Sequence, residues 1–177
     1  MLNLNMWSAN VPAVLPLVAA CSILLLASCA AAPEKNDAAG KAAIREVIYH
    51  SIGWAVEKDV DLLYGSVAQD ADFFIFHPDS RSTITGFDAF KEMVEKVFMN
   101  DAFRATGFEV RDLRITISAS GTVSWFSAIL DDHGEWDGKP SSWINTRWTG
   151  VLEKRDGRWV IVQMHFSFAT DQMKAEK

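Results

Sequence analysis

The stretch "TRWTGVLEKRDGRWVIVQMHFS", Thr146 to Ser167, decides the fold. Its Asp156-Gly157 pair signals a tight turn joining two antiparallel strands. On the later arm, successive side chains point to opposite faces of a strand. Val160, Val162, Met164, Phe166 and Phe168 make one face, wholly apolar. Trp159, Ile161, Gln163, His165 and Ser167 make the other, apolar first and then polar. A solvent-facing strand more often carries Lys, Glu or Thr. The polar row therefore reads either as a concave, partly dry surface or as a sheet face that meets water near its end.

Moving outward, three more strand patterns precede this arm: "FRATGFEVRDLRITIS" (103–118), "GTVSWFSAILDDHGEWDG" (121–138) and "KPSSWINTRWTGVLEKRDG" (139–157). Before them the period changes. In "KAAIREVIYHSIGWAVEKD" (41–59), Ile44, Val47, Ile48, Ile52, Ala55 and Val56 recur at helical spacing. "DVDLLYGSVAQD" (59–70) reads as a second, short helix. "DFFIFHP" is a short buried strand stopped by Pro78, and "STIT" is extended. After Gly86, the stripe Phe87, Phe90, Val94, Val97 and Phe98 predicts a third helix. Helices first and long strands afterwards predict an α+β fold, with helices packed on one curved antiparallel sheet.

Of 177 residues, 49% are hydrophobic and 23% charged, with seven Trp. About one domain fits this length once the N-terminal segment is set aside, and such a domain buries a core without disulfides or metals. The net charge is −6, and residues 1–28 contain no Asp, Glu, Lys or Arg. With no basic run, the chain is a poor nucleic-acid binder. Both cysteines, Cys21 and Cys29, precede the domain. The domain itself therefore offers no disulfide, thiol nucleophile or thiolate metal site.

The N-terminal "VPAVLPLVAACSILLLASCAAAPEKND" has an apolar core ending in small residues. Through "LASC", residues 26–29, it resembles a bacterial lipoprotein signal. That resemblance implies cleavage before Cys29, lipidation of its sulfur and a domain in the cell envelope facing the periplasm. Two acyl chains give stable anchoring, at about 0.8 kcal/mol per buried methylene. Ala30 lacks the Asp of inner-membrane retention, which favours the outer membrane. The n-region "MLNLNMWSAN" has no positive charge, contrary to the usual pattern. The run from Val11 to Ala32 is also long enough for an uncleaved anchor, although Pro12 and Pro16 weaken a helix there. The expected organisation is a signal peptide (1–28), a lipidated flexible tether (29–40) reaching about 18 Å, a domain (41–170) and a short tail (171–177).

Residues 40 to about 170 resemble the SnoaL-like branch of the NTF2-like, or ketosteroid-isomerase-like, superfamily. The likeness rests on Trp54 to Leu62 ("W…KD.D.L"), on "FHPDS…ITGFDAF" with His77, Pro78 and Gly86, and on the arm pair quoted first, with its R-x-T, K-x-D-G-x-W and H-x-S pattern. It implies a curved sheet wrapped by N-terminal helices into a cone of the cystatin-like type. It also implies homodimers through the outer sheet surface. It fixes no reaction, because the superfamily includes isomerases, dehydratases, binding proteins and oligomerisation modules.

In such a cone the inner face of the last strand lines a pocket. Gln163 and His165 are expected there, with Trp143 and Arg147 on the next strand, Trp125 beyond it and Trp54 from the first helix. Arg147 reads as a clamp for a substrate carboxylate, as the partner of a core acid, or as a residue reaching solvent. His165 reads as a base, a ligand contact or a satisfied core histidine. In ketosteroid isomerases the general base is an Asp just before a Pro; here "IFHPD" puts His77 at that place, where it could carry protons near neutral pH. The isomerases' Tyr oxyanion donor is matched by Ser51, a departure that weakens a steroid-isomerase reading. The acidic run Asp131 to Gly138 follows no metal-ligand order and reads as a solvated hairpin tip. No nucleotide or hydrolase motif is present, so no cofactor and no metal are expected. The leading expectation is a membrane-tethered pocket for a small, partly apolar molecule. The alternatives are a cofactor-free isomerase or lyase with His77 as base, and a dimeric scaffold with a vestigial pocket.

Overall fold

The hairpin that opened the sequence reading forms as expected. Asp156 and Gly157 both take positive φ, 50° and 80°, the pairing that a two-residue type I′ turn demands. They join strands β6 (Trp143–Arg155) and β7 (Arg158–Ser167). The computed structural model describes residues 33–79 and 83–171, with side chains from Asp37 onward. Residues 1–32, which hold Cys29 and the expected signal peptide, lie outside the described residues, as does the tail from 172. Among the described residues, no helix is long and apolar enough to cross a membrane.

Helix α1 (Pro33–Glu57) is followed by α2 (Val60–Ser66), whose N-cap Asp59 accepts from the backbone N–H of Leu62 at 3.0 Å. Strands β1 (Phe74–Phe76) and β2 (Ile84–Thr85) form a small antiparallel pair. Helix α3 (Phe87–Met93) runs on as a π-helical turn, Val94–Phe98. The long strands β3 (Phe103–Ile117) and β4 (Val123–Trp136), the short β5 (Lys139–Pro140), and β6 and β7 complete the chain. The sheet order is β2-β1-β7-β6-β4-β3, with β5 added to β4. All ladders are antiparallel except β1 on β7, which is parallel, so the sheet is mixed rather than purely antiparallel. Among the described residues, three helices pack on this strongly curled sheet, giving the expected α+β cone.

One expectation needs correcting at the start of the domain. Residues 33–40 were expected as coil, but α1 already begins at Pro33. Proline suits the first helical position, where its missing N–H is not needed. Asp37 and Lys41 add an ion pair of 2.7 Å one turn apart. Gly40 approaches β3 so closely that a Cβ there would meet Ile117 at 2.9 Å.

The core lies between α1 and the inner sheet face. Ile44, Ile48, Leu63, Phe73, Ile75, Leu130, Trp148, Leu152 and Ile161 are almost wholly buried. Trp148 stacks on Phe166 at 5.7 Å and meets Phe126 edge-on at 4.9 Å. Gly150 sits beneath Phe126, and a Cβ there would come within 2.5 Å of its ring and 2.8 Å of the Gln163 carbonyl. The loop after α2 docks on β7 through the bond from Ala68 N–H to Ile161 C=O (2.8 Å). Arg155 donates to Asp70 and to Glu153, tying that loop to the β6–β7 hairpin.

Candidate functional site

The inner sheet face does not follow simple alternation along β7. Val151 of β6 opposes Gln163, but Leu152 opposes Ile161, so Val162 is an extra, bulged residue. A bulge shifts the face of every residue beyond it. The inward set is therefore Trp159 and Ile161 before the bulge, and Met164 and Phe166 after it. The polar row of Gln163, His165 and Ser167 is outward.

A second bulge acts on β6. Leu130 of β4 opposes Thr146 while Asp132 opposes Trp143, leaving one residue of β4 against two of β6. Asn145 absorbs the extra length with φ of 53°, in the left-handed region that Asn tolerates better than most residues. The Asp131 carboxylate fixes the bulge: it accepts from Asn145 N–H at 2.6 Å and from the Arg111 guanidinium at 2.9 and 3.0 Å. Arg111 also donates to the Asn145 side chain at 2.8 Å. Trp143 thereby joins the inner face.

These elements enclose an open cavity of about 210 Å³. Helix α1 contributes Ser51, Ile52, Trp54 and Ala55, and α2 contributes Leu63. Phe90 and Met93 come from α3, and Val97 and Phe98 from the π turn. Phe103 opens β3; Asp132, Gly134 and Trp136 come from β4; Ser141 and Trp143 follow β5; Met164 and Phe166 come from β7; Ile75 and His77 come from β1 and its end. The His77 ring stacks on Phe166 at 5.7 Å and meets Trp143 edge-on at 5.7 Å. Asp132 faces Trp143 across the ladder, so Trp143 neighbours both titratable groups of the wall. Burial pushes the Asp132 carboxyl up from 3.8 to about 6, with the charge of neighbouring His133 pulling the other way. The Ser51 hydroxyl donates to the Ile48 carbonyl at 2.8 Å.

Of the residues expected at the pocket, Trp54, Trp143 and His77 stand in the cavity wall. Four do not, and the expectation is corrected for each. Gln163 and His165 are turned outward by the Val162 bulge; Gln163 lines a shallow outer depression with Trp125, and His165 packs its ring against Phe76 at 5.9 Å. Trp125 lies between the inward Ser124 and Phe126 and is 49% exposed. Arg147 lies between the buried Thr146 and Trp148 and is exposed on the outer face. The sequence reading missed Asp132, taken as part of a solvated hairpin tip. Counting by twos from the apolar Phe126 through Ala128 and Leu130 reaches it, since β4 keeps its alternation there.

Residues 44–171 match the family model of the SnoaL-like domain. No protein of curated function matches the sequence. Among solved structures, a candidate scytalone dehydratase from Novosphingobium aromaticivorans DSM 12444 is similar with a TM-score of 0.65 and 15% identity, over 75% of this chain and 85% of that one. An NTF2-like protein from Cytophaga hutchinsonii ATCC 33406 gives 0.58 and 17%, over 73% and 98%. A candidate ketosteroid isomerase from Shewanella frigidimarina NCIMB 400 gives 0.55 and 21%, over 72% and 97%. At these identities the structures share the fold alone. With most of its length matched by the family model, the chain belongs to the SnoaL-like domain family.

Proposed function

We propose that the cone binds one small, largely apolar molecule whose polar end meets Asp132 and His77. The observation that carries this reading is a carboxyl group, pushed up to about 6 by burial, in an aromatic-walled cavity. Sites for small organic ligands combine such walls with a few placed polar groups. The volume exceeds the roughly 150 Å³ of an apolar cavity that accepts benzene, so one or two fused rings fit. Quenching of tryptophan fluorescence by two-ring compounds tests it. Saturable binding is expected in the wild type and its loss in Ala55→Phe, which fills the cavity; equal binding by both proteins refutes the reading.

A second reading is favoured by the placement of His77 and Asp132 in the same cavity. An imidazole beside a carboxyl that burial raises to about 6 is the kind of pair that cofactor-free isomerase or lyase chemistry uses to move protons. It expects His77→Ala to abolish turnover of a bound substrate while leaving the thermal melt unchanged.

Two features of the setting complete the proposal. The outer sheet face, with exposed Trp125, is read as a contact with a second copy of this chain. Trp125→Glu is then expected to lower the mass seen by light scattering. Cys29 is read as the lipid anchor holding the domain at the periplasmic side of the envelope, with the outer membrane favoured. Radiolabelled palmitate is expected to enter the wild type and not Cys29→Ser.

A further inference from the structure

We propose that this cavity selects its ligand by charge, taking a hydrophobic amine or other organic cation over a neutral or anionic molecule of the same shape. The inference rests on the reading of the cavity as a ligand site. Three observations point the same way. First, among the described residues the wall holds no Lys or Arg, and its only titratable side chains are Asp132 and His77. An anionic ligand would enter a space with a carboxylate and no fixed cation to receive it.

Second, the two adjacent acids of β4 differ in their partners. The outward Asp131 carboxylate is held by Arg111 and by the Asn145 N–H. Among the described residues, the Asp132 carboxylate has no ion pair and no hydrogen bond. A half-buried carboxylate left without a donor gains most from a ligand that brings one with positive charge. Third, the surrounding wall is aromatic: Trp54, Phe98, Phe103, Trp136, Trp143 and Phe166 all border it. Ring faces carry negative potential and attract ammonium groups within about 6 Å. The carboxylate, together with any of these rings that turns its face to the ligand, thus favours a cation.

The charge state of the site follows from the groups around Asp132. On its own strand, His133 draws it toward ionisation and Asp131 is already neutralised by Arg111. From β6 it meets Trp143 and from β3 Phe108, neither of which titrates. His77 borders the same cavity, and a charge on its ring would repel a cation. Acidification therefore weakens cation binding as Asp132 takes up its proton, and a variant shows whether Asp132 is the source.

The test uses a matched series of 1-naphthylmethylamine, 1-naphthalenemethanol and 1-naphthoate, titrated calorimetrically between pH 5 and 8. At pH 7.5 the amine is expected to bind about tenfold or more tightly than the alcohol, as a charge-assisted hydrogen bond implies, and the naphthoate weakest. The amine's advantage should shrink below pH 6. In Asp132→Asn, most of the amine's advantage over the alcohol should be lost, leaving only the share that the aromatic wall contributes. If the alcohol or the naphthoate binds as well as the amine, the charge inference is overturned while the cavity reading stands. If Asp132→Asn keeps the preference for the amine undiminished, Asp132 is not its source and the inference fails. If none of the three binds, the cavity reading fails with it. The wild-type series alone decides the preference should the variant not fold.

Discussion

Asp131 and Asp132 are chemically identical neighbours with opposite environments. The Asn145 N–H, and with less effect Arg111, hold the Asp131 carboxyl below the usual carboxylate range, with burial opposing them. Asp132 faces the cavity and is pushed up to about 6. Between about pH 4 and 6 the folded chain keeps a proton on Asp132 that the unfolded chain has lost. Stability must therefore fall as pH rises through that window, and the loss is complete above it. The size is about 1–3 kcal/mol, reduced by the residue's partial exposure. Thermal melts of wild type and Asp132→Asn should nearly coincide at pH 4, with the variant the more stable at pH 7. A second residue invites a test without a change of charge. Among the described residues, the buried Thr146 hydroxyl has no hydrogen-bond partner. Thr146→Val keeps its shape and should raise stability by about 1 kcal/mol, read from urea midpoints.

At the scale of elements, the two bulges decide which side chains meet. Strand and helix order could be read in the sequence because long periodic runs and the Asp-Gly turn signals are local. The faces beyond Val162 and Asn145 could not, because a bulge is set by the register of the neighbouring strand rather than by the strand's own pattern. Thus Trp54 was legible from its helix, whereas Gln163 and His165 were assigned to the wrong side. Asp132 was legible by alternation but hidden by its acidic company. The β6 bulge predicts its own sensitivity. A β-branched side chain is strongly disfavoured at the φ of 53° that Asn145 adopts. Asn145→Val should cost about 1–3 kcal/mol and disturb the Trp143 environment. Thermal melts and near-ultraviolet circular dichroism would show both effects. Asp131→Ala, which removes the anchor but not the backbone tolerance, should change the spectrum in the same sense.

For the whole molecule, the curled sheet separates two surfaces. Inside, aromatic side chains and two titratable groups line the cavity; outside, Trp125, Gln163, Arg147 and His165 share the solvent face. This outer face is where the proposed contact with a second copy would form, and where the polar row in the last strand finds its place. The parallel ladder between β1 and β7 has a temporal consequence. Phe74, Ile75 and Phe76 pair with Gln163, Met164 and His165, from the far end of the domain. Closing so long a loop delays folding, since its entropy is lost before any contact forms. His77, one residue past β1, therefore reaches Phe166 only after the last strand exists. A nascent chain still inside the ribosome at β7 has released α1, α2 and α3 but cannot complete the cavity. A protein ending at Gly157 is expected to give no cooperative melt, so ligand could bind only to a chain synthesised to its last strand.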